Sequence, residues 1–238
     1  MKEADPLQPY FIWNDVDSRS MGVIVSSYPP IIRPPERVIQ QTMPGRAGTL
    51  TITEGADIYD GYIKAFVIGL RPGTDAQTII RWLRGQGRMV FGNEPGFSYE
   101  GRIIGAVQFD KVGSWLLKSA GVQFFAQPYK AQSPPEPDFA ISASTLTIYN
   151  PGDVAARPRL VIGTAGAVSI QIGDTSLSID AAPAGLAIDC DAGILRNADG
   201  TLFTGAWTGE FLRIAPGNND VIISGGGSIT VTPRWRWI

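Results

Sequence analysis

Residues Val38–Leu70 read VIQQTMPGRAGTLTITEGADIYDGYIKAFVIGL. Thr49–Thr53 (TLTIT) and Tyr62–Leu70 (YIKAFVIGL) are rich in β-branched and aromatic residues, and both read as strands. Pro44 fixes one φ and removes a donor, while Gly45 and Gly48 can take φ > 0. The stretch therefore reads as a sheet with a rigid turn at Pro44–Gly48 and a longer polar loop at Glu54–Gly61. Taken alone, this is a hairpin of any β domain.

Around it the chain keeps the same character. Of 238 residues, 28 are Gly and 18 Pro, scattered without a period, which suits many short strands joined by turns. Toward the N-terminus, Phe11–Trp13 and Met21–Val25 read as strands, and the prolines of 28–35 leave Ile31–Arg33 at best an edge strand. Toward the C-terminus, Thr74 or Asp75 caps one helix running to about Arg84, with Ile79, Ile80 and Leu83 on one face. Met89–Phe91, Ser98–Gln108 and Ser114–Phe125 follow as strands. QSPPEPD (132–138) is a semi-rigid linker. Beyond it, strands are expected at Leu146–Tyr149, Arg159–Ile162, Ala167–Ile172, Thr175–Ile179, Leu186–Asp189, Gly193–Arg196, Phe211–Ile214, Asp220–Ile223 and Ser228–Trp235. Turns such as NPGD and NADG separate them, as in a β-sandwich of about a hundred residues. Two domains are expected, 1–130 and 131–238, with 228–238 free to close the second sandwich or return to the first. Charge divides the same way: 14 Lys+Arg against 12 Asp+Glu in 1–130, and 6 against 10 in 131–238.

Several chemistries are disfavoured by residue type. The chain has no histidine, which removes Ser-His-Asp and Cys-His catalysis and histidine-ligated metals. No phosphate-binding loop, dinucleotide fingerprint or G-x-S-x-G is present. Asp189, Asp191 and NADG (197–200) lack the spacing of a calcium loop and read as a solvated pair and a turn. The lone Cys190 reads as a small core residue. Arg81, Arg84 and Arg88 read as a solvated helix end, and a net charge of −2 argues against a nucleic-acid surface. Trp207, Phe203 and Phe211 suit either sugar contact or core packing. Trp235, Arg236 and Trp237 suggest a packed terminal strand with the arginine between rings, or an anchor to another domain. No secretory signal and no membrane-length apolar run is seen, so synthesis in a cytosol is expected.

Ordered blocks then carry a resemblance: FIWNDVDSRSMGVIV, MPGRAGTLTITEG and KSAGVQFFAQPYK in the first half; YNPGDVAARPRLVI, IDCDAGILRNADGTLFTGAW, FLRIAPGNNDVIISGGG and PRWRWI in the second. In this order the chain resembles the distal tail protein (Dit) family of long, non-contractile-tailed bacteriophages. The resemblance implies a mainly β protein: a tail-tube-like β-sandwich or split barrel with one helix, then a galectin-like (carbohydrate-binding-module-like) β-sandwich. It implies a non-enzymatic homohexameric ring at the distal end of the virion tail, made in the host cytoplasm. Its implied partners are the tail-tube protein, the tail-tip hub or tail-associated lysin, the receptor-binding protein and the tape measure protein. No cofactor, membrane or sequence-specific nucleic acid is implied. A galectin-type sugar site uses histidine, so lectin activity does not carry over; a carbohydrate-binding module contacting the host surface is the alternative. A ring needs one surface to meet a different surface of the next copy. The expected ring-interface loop comprises Arg46, Gly48, Glu54, Asp57 and Tyr59, with the proline-rich 28–35 at its base.

Overall fold

In the computed structural model, residues 8–53, 55, 57–112, 117–142 and 144–238 are described. The chain divides into two compact units, Met1–Ser133 together with Ile238, and Pro134–Trp237.

The first unit contains β1 (Phe11–Trp13), β2 (Val16–Asp17), β3 (Val23–Ser27), β4 (Val38–Thr42), β5 (Thr49–Thr53), β6 (Tyr62–Leu70), α1 (Ala76–Trp82), β7 (Gln86–Phe91), β8 (Phe97–Ile104), β9 (Asp110–Val112) and β10 (Leu117–Gln132). Eight of the strands form one antiparallel sheet in the order β2-β1-β7-β8-β10-β6-β3, with β9 alongside β10. Strict alternation on β6 turns Lys64, Phe66, Ile68 and Leu70 inward and leaves Ile63, Ala65 and Val67 outward. On β10, Ala120, Val122, Phe124 and Ala126 face the same interior. Edge-to-face rings fill that interior: Phe66 meets Phe11 and Phe91, each at 5.3 Å between centroids. Pro128, which has no N–H to give, falls inside the register slip between β10 and β8 at Ala126–Lys130.

The helix begins where the Asp75 carboxylate accepts from the N–H groups of Gln77 (3.2 Å) and Thr78 (3.0 Å). It stops two residues earlier than the sequence suggests, at Trp82. Leu83 turns inward as the cap, and Gly85 follows at φ 79°. Ile31–Arg33 forms no strand. Consecutive prolines cannot supply ladder donors there, and Ile31 is left 64% exposed. The first three residues of the expected Ser114–Phe125 strand lie outside the described residues.

The second unit contains β11 (Phe139–Ile141), β12 (Thr145–Asn150), β13 (Arg159–Ile162), β14 (Gly166–Ile172), β15 (Thr175–Ala182), β16 (Ala187–Asp189), β17 (Ile194–Arg196), β18 (Trp207–Gly209), β19 (Gly217–Gly225) and β20 (Ile229–Thr232). They make two five-stranded antiparallel sheets, β11-β20-β13-β16-β17 and β12-β19-β14-β15-β18, which share one aliphatic core. β20 is an interior strand, between β11 and β13. Phe211–Ile214 was expected as a strand, but only Ile214 pairs, exchanging both backbone bonds with Ala156. The neighbouring strand is instead Trp207–Gly209, exposed throughout and lacking the alternation that would reveal it.

Turn chemistry holds this unit's loops. The Asn150 amide donates to the carbonyls of Ile214 (2.8 Å) and Val154 (3.2 Å), and its oxygen accepts from the Gly152 N–H. Cys190 is buried in the core, and burial pushes its thiol up to about 11.

Candidate assembly interface

Between β3 and β6 the chain leaves the large sheet and returns, and the excursion is organised in three levels. The root is the proline-rich segment. The Tyr28 hydroxyl accepts from the Tyr10 N–H at 2.8 Å and donates to the Tyr10 carbonyl at 3.2 Å. A Cβ at Gly92 would lie 2.4 Å from that hydroxyl, so glycine is what lets the two strands and the tyrosine meet. Asn93 donates to the Pro29 carbonyl, and Lys64 Nζ to the Pro30 carbonyl, each at 3.4 Å.

Lys64 belongs to a buried polar cluster. Its ammonium is fully enclosed, 3.4 Å from Glu94 Oε2 and 4.3 Å from the Tyr99 ring centroid. Tyr99 donates to the same Glu94 oxygen at 2.7 Å, and Lys130 approaches Oε1 at 3.5 Å. Burial lowers the Lys64 pKa, against the opposing pull of Glu94. Burial would raise Glu94, but the Tyr99 hydrogen bond and the two ammonium groups outweigh it and the net shift is downward. Tyr62, beside them, is pushed up to about 12, first by burial and then by the Glu94 charge.

The second level is a collar. Glu36 and Tyr59 form a β-bridge. Arg37 N–H donates to the Ile58 carbonyl at 3.0 Å, and Asp60 N–H to the Pro35 carbonyl at 2.9 Å. The Arg37 guanidinium meets Asp60 at 2.7 Å, and Arg33 pairs with Glu36 and donates to the Tyr59 hydroxyl at 3.2 Å. Tyr59 also packs edge-on against Tyr129, whose hydroxyl donates to the Asp57 carbonyl.

Beyond the collar stands the arm. Among the described residues β4 and β5 pair only with each other, Val38 opposite Thr53 and Thr42 opposite Thr49. Opposite residues share a face, so Ile39, Gln41, Leu50 and Ile52 line one side. Val38, Gln40, Thr42, Thr49, Thr51 and Thr53 line the other. The first side is the more apolar, yet Ile39 is 49% and Ile52 45% exposed. From Val38 to Thr53 the only charged residue is Arg46. A lone two-stranded ribbon is marginal in water, and the apolar side of this one is uncovered among the described residues.

The structure separates the expected interface residues. Arg46 and Gly48 sit in the tip turn, where Arg46 N–H bonds the Met43 carbonyl at 3.3 Å and Gly48 has φ 85°. Asp57 and Tyr59 lie at the opposite end, in the collar. Five residue pairs separate the ends, about 17 Å at strand rise. Tyr59 is buried, so it holds the arm instead of presenting surface. Glu54 lies outside the described residues. The exposed apolar face of Ile39, Leu50 and Ile52 is not among the expected residues, although the alternation is visible in TLTIT.

The second unit arranges its expected site residues structurally. Asp189 makes a two-pronged pair with Arg234 at 2.8 and 3.0 Å, and Asp191 meets Arg236 at 2.5 Å. No group of three or more His, Cys, Asp or Glu capable of holding a metal ion occurs among the described residues. Phe203 and Phe211 are partly buried against the core, and Trp207, on edge strand β18, packs on Phe211 at 5.3 Å. Trp235 is a core residue, and Trp237 packs against that core. No helix among the described residues is long and apolar enough to cross a membrane.

No protein-family model matches the chain, and no curated protein matches it. Among solved structures, the crystal structure of the SPP1 Dit protein (gp 19.1) matches with a TM-score of 0.71 at 15% identity, over 97% of this chain and 99% of that one. That protein is described as a paradigm of the hub adsorption apparatus in Gram-positive-infecting phages. The two chains share a mainly β fold from end to end.

Proposed function

We propose that this chain is a structural component of a phage tail tip, of the distal tail protein type. Six copies close into a ring that joins the tail tube to the tail-tip hub and supports receptor-binding proteins. The tape measure protein and DNA pass through the ring without base readout. The protein works by shape and performs no bond chemistry. The observation that carries this reading is the fold shared with SPP1 Dit across both units. The exposed arm supports it: a closed ring needs one surface of each copy to meet a different surface of the next, and a ribbon with one exposed apolar side on a braced root suits that role.

Native mass spectrometry with particle images tests the proposal. Six chains of 25.6 kDa in an annulus with a hole wide enough for duplex DNA are expected. A chain that stays monomeric at high concentration, and also beside tail-tube and hub proteins, would overturn it.

A further inference from the structure

The large sheet of the first unit has a core on one face only. On the other face, Ile63 (49% exposed) and Val67 (38%) project outward with no layer of described residues over them. Beside Val67 the surface sinks into a groove of about 340 Å³, walled by Ser27, Ala65, Val67, Ile104, Gly121 and Gln123. The groove exists because Ala65 and Gly121 are small where their neighbours are large. None of those walls is charged. We infer that this groove receives the apolar face of the hairpin arm of the next copy, with the cross-strand pair Ile39 and Ile52 as the inserted wedge.

Three observations select that occupant. Ile39 and Ile52 are directly opposite in register, so their branched side chains stand together as one unit. Truncating one large aliphatic side chain in a core leaves a cavity of roughly 150 Å³, so the groove holds about two. The apolar side of the arm and the groove both lack charged residues, Arg46 being confined to the tip, so neither brings a charge that would be desolvated without a partner. Within one copy the two surfaces do not cover each other: the arm is tied at its collar, and Ile39, Ile52 and Val67 all remain exposed. Every copy thus carries the same two uncovered surfaces, and a head-to-tail contact covers both at once. This inference rests on the ring reading and names the acceptor surface within it.

The test uses the full chain. A Cβ at Gly121 meets nothing within 4 Å, so Gly121→Val fills the groove without disturbing its own sheet. Gly121→Val and the double variant Ile39→Asp, Ile52→Asp should both keep the wild-type circular dichroism and melting temperature of a single chain while losing the sixfold mass. Mixed together they should form a heterodimer and nothing larger, because only one intact arm faces one intact groove. Ile52→Cys combined with Val67→Cys should give an oxidative ladder of oligomers, and neither substitution alone should. Intact rings from Gly121→Val, or a dimer from Ile52→Cys alone, would overturn the acceptor assignment and leave the ring standing. A wild-type chain that is monomeric and a double-cysteine chain that forms no ladder would overturn both.

Discussion

The Lys64 ammonium and the Tyr99 ring stack in the core of the first unit, 4.3 Å from nitrogen to centroid, and both groups turn to one oxygen, Glu94 Oε2. The carboxylate opposes the burial that lowers the Lys64 pKa, and Lys64 in turn donates to the Pro30 carbonyl at the root of the arm. A core position is thereby coupled to a surface element.

Removing the shared acceptor should therefore cost more than removing one donor. Glu94→Ala leaves two ammonium groups without a carboxylate and should destabilise the chain by roughly 3–5 kcal/mol. Tyr99→Phe removes one charge-assisted hydrogen bond and should cost about 1.5–3 kcal/mol. Urea unfolding of the two variants tests the order; equal or negligible losses would show that the cluster does not hold the fold.

Two strand glycines should respond oppositely to alanine. A Cβ at Gly101 would lie 2.1 Å from the Phe125 carbonyl oxygen and 2.6 Å from the Phe124 ring, so Gly101→Ala must displace backbone and should cost about 1–3 kcal/mol or more. Gly121 faces open space, and Gly121→Ala should be neutral or stabilising by up to roughly 0.5–1 kcal/mol. The comparison belongs in the Ile39→Asp, Ile52→Asp background, where assembly does not contribute. A destabilised Gly121→Ala would contradict the open groove.

Acid should weaken the second unit through one ion pair. The Arg234 hydrogen bonds hold Asp189 down at about 2, against 3.8 for an unperturbed aspartate. A depressed carboxylate contributes stability that is complete above the unfolded value and disappears as pH falls through the folded one, so the window runs from about pH 4 to about pH 2. Because the pair is partly exposed, solvent screening limits the contribution to the order of 1–2 kcal/mol. Thermal unfolding of wild type should lose more stability across that window than Asp189→Asn does; parallel curves would remove the pair from the account.

Cys190 offers a probe of the same unit. Its thiol is buried and raised to about 11, so at pH 8 it is neither accessible nor ionised. Thiol reagents should label it only as fast as the unit opens, and urea should accelerate labelling in step with loss of structure. Rapid labelling of the native chain would show an open path to the core.

The sequence alone identified the class of fold, because strand alternation and turn chemistry are local. YIKAFVIGL is legible as a strand from its β-rich residues without any partner, Asp75 marks the helix start, and NADG and NPGD mark turns. Helix cap and strand period depend on neighbours a few residues away, and those are on the page of any sequence. What covers an apolar face is not. TLTIT and YIKAFVIGL look alike as residues, yet one stands out as an uncovered ribbon and the other is the centre of a sheet. Lys64 is a lone charge within an apolar run, and only the convergence of Tyr99 on β8, Lys130 on β10 and Glu94 in the turn between β7 and β8 gives it a buried partner. Tertiary structure decided these cases because solvation of a side chain depends on groups brought near by folding, and those lie tens of residues away along the chain.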